Sequence, residues 1–293
     1  MKNIQVKDPE HFSFAVFSGN RFGRYIFEEM LKQVDHDPDI AFAIDLGDAV
    51  LKGGRGHYHH LIKQIDDNLG IPLLTVMGDN ELKGGGRELY QKVFGPLFYS
   101  FKVGKNCFFV IDNVEEGGVD RVQMEWLKKE LEGAKNYDSR IIFMHRPLYD
   151  PKGPRVSQYL PEEMSSRLID LFLGHNVTHL FASDINGYYE GEIKGIPYTI
   201  TGDTEVAPDN KERKQPYFYF LKVYVEKNTV KVEANNEFLK GFSHINRVDN
   251  RVMFFLDNIV MTRWLELSLI VFALLISVFY IIYKQRANKI NEE

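Results

Sequence analysis

Cysteine is almost absent: the 293-residue chain carries one, Cys107. A single thiol excludes an intrachain disulfide and a zinc centre built on paired cysteines. Positive charge is not in excess either. Against 36 Lys and Arg stand 41 Asp and Glu, for a formal net charge of −5. A nucleic-acid partner is therefore not expected, since such partners demand a basic field. No G-x-S-x-G occurs, and Cys107 lies inside an apolar run, so a serine or cysteine nucleophile has no support. The Gly84-Gly85-Gly86 stretch reads as a flexible loop and lacks the lysine–serine pair of a Walker loop. Repeats and low-complexity tracts are missing. MKNIQVKDPE has no apolar signal-peptide core, which favours a cytoplasmic soluble domain. With 44% hydrophobic and 26% charged residues, the chain is globular and long enough for one large domain or two small ones.

What is present begins with a long apolar run, WLELSLIVFALLISVFYIIY, at 264–283. Its one charge is Glu266. Twenty helical residues reach roughly 30 Å, the depth of a bilayer's hydrocarbon. Trp264, Tyr280 and Tyr283 stand near its ends, as interfacial aromatics do. The run predicts a transmembrane helix over 263–284 and a polar tail over 285–293. Lys284, Arg286 and Lys289 on one flank balance Arg247, Arg251 and Arg263 on the other, so loop charge does not choose the orientation. Residues 236–262 precede it as an amphipathic connector. There Ile245, Val248, Val252, Phe255 and Ile259 recur at spacings of 3, 4, 3 and 4. This seam suits packing on the chain's own domain or contact with a second copy or another protein through 245–283.

Residues 1–235 alternate short apolar runs with amphipathic stretches. Strands are predicted at 12–17, 39–45 and 71–77, with helices at 24–34 and 58–70 between them. That βαβαβ rhythm argues for parallel strands. A hairpin around Gly104 follows at 99–113, then a helix at 123–134, a strand at 140–147 and a helix at 167–176. Strand patterns then recur from 178, 198, 217 and 229. His57, His59 and His60 read as a solvated helix start, because adjacent His59 and His60 cannot share a helix face.

Five polar motifs each follow an apolar strand: Ser18-Gly19-Asn20-Arg21, Gly47-Asp48, Gly78-Asp79-Asn80-Glu81, Met144-His145-Arg146-Pro147 and Ser183-Asp184-Ile185-Asn186-Gly187. Their order and spacing resemble the calcineurin-like metallophosphoesterases, whose pattern is D-x-H, G-D-x-x-D, G-N-H-E/D, H and G-H-x-H. Phe94-Gly95-Pro96, Tyr99-Ser100-Phe101, Gln123 with Trp126-Leu127, and Thr201-Gly202 extend the likeness over roughly 12–235. The resemblance implies an α/β sandwich of two mixed β-sheets flanked by helices.

It also implies a two-metal site, and here the ligand positions split. The first metal's own positions fall on Gly19, Arg21 and Asn186. Glycine has no ligand atom, and arginine is a fixed cation. That metal is expected to be lost. The second metal's positions fall on Asp79, His145 and Asp184, with Asp48 at the bridge. Three carboxylates and one imidazole suit a hard cation, Mn²⁺, Mg²⁺ or Ca²⁺, better than zinc. The same three aspartates taken singly are also ordinary turn and cap residues. Carboxylates brought this close repel, so at least one pKa is expected to rise. The family's proton-donating histidine falls on Asn80, which supplies no proton, and the second aspartate of G-D-x-x-D on Leu51. Arg21 reads either as a phosphate-holding guanidinium or as a turn residue. The resulting expectation is a membrane-anchored, catalytically degenerate phosphoesterase domain that binds a partner or a phosphate ligand. A divergent single-metal phosphoesterase and a structural subunit of a membrane complex are the alternatives.

Overall fold

A computed structural model describes residues 4–19, 24–151, 153, 159–185, 187–202, 219–235, 266, 268–282 and 284. Arg21, Asn186 and the 245–259 seam lie outside the described residues. The chain divides into two compact units, Met1–Asn250 and Arg251–Glu293.

The first unit runs β1 (His11–Phe17), α1 (Arg24–His36), β2 (Ile40–Asp45), α2 (Arg55–Asn68), β3 (Leu73–Thr75), α3 (Asp79–Leu82), α4 (Gly86–Phe94), β4 (Tyr99–Val103), β5 (Asn106–Val110), α5 (Arg121–Gly133), β6 (Ser139–Phe143), α6 (Glu162–Gly174), β7 (His179–Ala182), β8 (Tyr188–Ile193), β9 (Ile196–Thr201), β10 (Phe220–Glu226) and β11 (Thr229–Asn235). One sheet has the order β11-β10-β1-β2-β3, the other β4-β5-β6-β7-β9-β8. β1, β2 and β3 are parallel, and β10 joins β1 antiparallel. In the second sheet β5, β6, β7 and β9 are parallel, edged by antiparallel β4 and β8. Both sheets are mixed, as expected.

Strand periodicity builds four layers. On β1, Phe12, Phe14 and Val16 face the second sheet's Phe108, Val110, Ile141 and Phe143. Ala15 and Phe17 face the opposite way, onto Ile26, Met30 and Val34 of α1. The far face of the second sheet sends Phe109, Ile142 and Met144 against Leu127 of α5 and Phe172 of α6. Continuous apolar strands are what a sheet covered on both faces requires. Phenylalanines fill the space between sheets. Phe14 stacks on Phe42 at 5.0 Å and meets Phe108 and Phe143 edge-on at 5.7 and 5.9 Å. Offset and edge geometries of this kind add about 0.5–1.5 kcal/mol per pair beyond burial.

Several elements depart from the sequence expectation. The Gly84–Gly86 stretch is no free loop: Gly53 and Gly84 form a parallel bridge, and Gly85 precedes α4, which the sequence reading missed. α4 packs Leu89, Tyr90, Val93 and Phe94 into the core at positions i, i+1, i+4 and i+5, a helical pattern present in the sequence right after the glycine run. α6 starts five residues before the predicted boundary at 167, after Pro161 and with Glu162 and Glu163 in its first turn. Acidic residues there complement the helix dipole, a start signal independent of the apolar period. β8 pairs with β9 as a hairpin turned at Lys194-Gly195, both at positive φ.

Within the second unit, residues 266, 268–282 and 284 are helical. Leu269, Phe272, Leu275 and Phe279 are 54–74% exposed. Among the described residues no helix is long and apolar enough to cross a membrane; the predicted span of 263–284 is described only in part.

Candidate metal centre

The site lies where β1, β2, β3, β6 and β7 end at their C-termini, so both sheets contribute to it. Ser18 after β1 and Ser183 after β7 tie the two sheets together through their hydroxyls, and Ser18 Oγ also donates to the Gly47 carbonyl at 3.0 Å. Past β2 the chain turns sharply, with Gly47 at φ +97° and Asp48 at φ +60°. Asp184 after β7 is likewise left-handed, at φ +64°. Aspartate tolerates this region better than most side chains.

Glycines let the motif loops meet. A methyl group on Gly78 would stand 2.3 Å from the Asp48 nitrogen and 2.6 Å from Asp48 Oδ1. One on Gly47 would stand 2.7 Å from the Gly78 nitrogen and 2.9 Å from His145 Nδ1. No β-carbon fits at either position.

Buried Glu81 locks the loops. Its carboxylate accepts from the backbone nitrogens of Gly78 at 2.8 Å, Asp48 at 2.9 Å and Val50 at 3.2 Å. Asp48 Oδ1 in turn accepts from the Asn80 nitrogen at 2.9 Å. Across the site, Asn113 Oδ1 accepts from the nitrogens of His145 and Arg146 at 3.2 and 3.1 Å, while its amide donates to the Arg146 carbonyl at 2.6 Å. The Glu81 role is legible in G-D-N-E. Asn113 carries no sequence signal; only β5 standing beside β6 shows it.

His145 is fully buried, and its Nδ1 donates to the Leu46 carbonyl at 2.8 Å. A carbonyl only accepts, so the proton of a neutral ring is on Nδ1 and the Nε2 lone pair faces the site. Nε2 is 3.6 Å from Asp48 Oδ1 and 3.9 Å from Asp184 Oδ1. Neither is a hydrogen bond, and Nε2 and Asp79 Oδ1 are both buried without a hydrogen-bond partner. A lone pair pointed at carboxylates needs a cation between them, either a proton on the ring or a metal ion. Donors about 2.1–2.6 Å from one hard ion stand roughly 3–4 Å apart, as His145 Nε2 stands from Asp48 and from Asp184. His145, Asp48 and Asp184 are donors of the type that a hard divalent cation takes. Among the described residues no group of three or more His, Cys, Asp or Glu is arranged so that it could hold a metal ion. Asp48 Oδ1 is shared with the Asn80 nitrogen.

The carboxylates near the site have raised pKa values, chiefly through burial. Burial, with the Asp79 and Asp48 charges, pushes Asp184 up to about 6 despite the opposing pull of His145 and Arg146. Burial and the Asp48 charge push Glu81 to about 7. Burial, then Glu81, lifts Asp45 well above the carboxylate range. Burial works against a charged His145, but Asp48, Asp184, the Leu46 carbonyl and Asp79 together raise its pKa.

The other half of the site is different. Gly19 is buried at φ +66° and offers only its nitrogen, which donates to the Gly47 carbonyl at 3.2 Å. Asn80, 7% exposed, has its side-chain oxygen occupied by Lys83 Nζ at 2.6 Å. His57, His59 and His60 lie within α2, away from the chain ends that build the site.

No protein-family profile matches the sequence. Solved structures do. A purple acid phosphatase isolated from yellow lupin (Lupinus luteus) seeds superposes with a TM-score of 0.64 at 15% identity, over 83% of this chain and 56% of that one. The chain thus spans little more than half the lupin enzyme's length. A dimetal phosphatase from Danio rerio gives 0.62 at 12% identity, over 78% of this chain and 97% of that one. GAP50, described as the anchor in the inner membrane complex of Plasmodium, gives 0.57 at 15% identity, over 82% and 93%. The chain has the calcineurin-like metallophosphoesterase fold.

Proposed function

We propose that this chain is a phosphoesterase-fold binding protein that retains half of a two-metal site. It holds one hard divalent cation on Asp48, Asp79, His145 and Asp184, recognises a phosphate-bearing ligand or partner beside it, and turns over phosphate esters negligibly. One observation carries the reading: the lone pair of buried His145 faces Asp48 and Asp184, whereas the opposite half begins at buried Gly19. When bound, the cation supplies Lewis-acid charge to a phosphate oxygen. The chain's own residues hold that position. Leu46 fixes the imidazole tautomer, Glu81 fixes the Asp48 loop, and Asn113 fixes the His145 backbone. Asn80, at the family's proton-donor position, supplies no proton. Losing general-acid help alone costs about 10²–10⁴ in rate.

Anchoring is part of the same reading. Helical residues 268–282 expose apolar side chains at consecutive positions, Leu269, Ile270, Val271 and Phe272 among them. Successive helical residues point about 100° apart, so the helix is apolar all round, the pattern lipid selects. The Plasmodium neighbour described as an anchor is a parallel case at the level of fold. Flotation of the full chain with liposomes is the direct check.

The decisive measurement is metal content together with turnover. After dialysis against Mn²⁺ or Mg²⁺, elemental analysis is expected to find one equivalent per chain, lost in Asp48→Ala. Phosphomonoesters and diesters are expected to remain uncleaved. Clear Mn²⁺-dependent hydrolysis abolished by Asp48→Asn and His145→Ala would instead establish the single-metal hydrolase, which the surviving ligand cluster otherwise favours.

A further inference from the structure

Two loops beside the site share a pattern. Leu51-Lys52-Gly53-Gly54-Arg55 follows the Gly47-Asp48 motif, and Leu82-Lys83-Gly84-Gly85-Gly86-Arg87 follows Gly78-Asp79-Asn80-Glu81. The structure zips them side by side through the Gly53–Gly84 bridge, with Gly85 nitrogen donating to the Gly53 carbonyl at 2.7 Å and Gly53 nitrogen to the Asn80 carbonyl at 3.0 Å. Glycine is required at this seam. A methyl on Gly53 would stand 2.1 Å from the Glu81 carbonyl oxygen. One on Gly84 would stand 3.1 Å from Cε of Lys52, so the Lys52 chain lies along the second loop.

Lys83 does not extend into solvent as a surface lysine normally does. Its ammonium turns back over α3 to the buried Asn80 amide at 2.6 Å, giving up rotamer freedom that a solvated lysine keeps. An ammonium has three donors, and Asn80 takes one. The residue is otherwise exposed, and Asn80 is its sole hydrogen-bond partner among the described residues. Asn80 itself sits directly on the cluster, since its nitrogen donates to Asp48 Oδ1. A fixed positive charge is thus held at the residue that caps the candidate ligand Asp48. A second lysine lies along the neighbouring loop.

We propose that Lys83 and Lys52 form a two-lysine rim that binds the phosphate group of the ligand, with Lys83 the principal contact. This rests on the reading of the site as a phosphate-binding half-centre and deepens it: lysine supplies positive charge beside Asn80, next to the candidate ligand Asp48. Ammonium groups make strong charge-assisted bonds to phosphate oxygens as point charges, without the fixed geometry of a guanidinium. The ligand class is therefore a phosphate monoester or a free phosphate dianion. An uncharged partner surface gives such a rim nothing to bind.

The test is calorimetric titration of the full chain with inorganic phosphate, with Mg²⁺ present throughout. Lys83→Met is expected to weaken phosphate binding about tenfold, the value of one charge-assisted bond, while Lys83→Arg stays within about threefold. Lys52→Met is expected to lose less, roughly threefold, and each loss should shrink as salt screens the pair. Cation uptake by the same variants is expected to match wild type, because neither lysine is a ligand. If wild type binds phosphate and both Met variants bind equally well, the lysine rim is overturned and the half-centre stands. If wild type takes up Mg²⁺ but binds no phosphate, the rim and the phosphate-binding reading fall together.

Discussion

Gly78→Ala is expected to cost the fold about 3 kcal/mol or more, with a matching loss of cation binding. The added methyl would lie 2.3 Å from the Asp48 nitrogen, 2.5 Å from Glu81 Oε2 and 2.6 Å from Asp48 Oδ1. None of these can retreat cheaply. The nitrogen is backbone, and Glu81 is buried and spends its carboxylate on three backbone N–H groups. Relief must come from opening the Asp48 loop, which unsatisfies those N–H groups and moves a candidate ligand. Chemical denaturation with and without Mn²⁺ measures both effects. A stability within about 1 kcal/mol of wild type would mean that the two motif loops do not approach this closely. Gly86→Ala is the contrast at positive φ: its β-carbon meets nothing within 4 Å, so only backbone strain is expected.

The second large effect is in pH. Cation affinity is expected to fall roughly a hundredfold between pH 7.5 and 5.5, because protons compete for His145 and Asp184. Both pKa values stand above their ordinary ones, Asp184 at about 6. The sign for the metal-free protein follows from the same shifts. A group whose folded pKa is raised contributes stability that is complete below its unfolded pKa and lost as pH climbs through the folded one. For Asp184 the loss runs from about 4 to beyond 6, and for His145 it begins above 6.5. EDTA-treated protein is therefore expected to melt a few degrees higher at pH 5.5 than at 7.5, and saturating Mn²⁺ is expected to reverse that order. Asp184→Asn removes a buried charge while keeping a side chain that tolerates φ +64°. It is expected to stabilise the metal-free form at pH 7.5 by on the order of 1–2 kcal/mol and to abolish the Mn²⁺ response. A pH-independent melting temperature, with Asp184→Asn neutral, would mean that these groups do not meet.

Much of this was legible before any coordinates. Strand and helix periods in 12–45 depend on which residues are apolar, and β1, α1 and β2 fall within two residues of the predicted spans. The motif order placed Asp48, Asp79, His145 and Asp184 at strand ends, because an α/β sheet gathers those ends on one side. Among the missed elements, α4 follows directly on a glycine run that reads as a loop, and β8 has no alternating pattern, with Glu190, Gly191 and Glu192 exposed in succession. Asn80 was legible as a lost proton donor, but not as the holder of Lys83, since that contact depends on how the short α3 turn is capped.

From the residues alone came the order of strands and helices, the three aspartates and one histidine at candidate ligand positions, and the lack of a side-chain donor at Gly19. The tautomer of His145, the cross-sheet tie at Ser18 and Ser183, and the pairing of the two Lys-Gly-Gly loops emerge only when the chain is folded. Periodicity is a local property, set by each residue's own solvation. The imidazole's orientation depends on a carbonyl 99 positions away, and the loop seam on glycines 31 positions apart, distances across which no local preference acts.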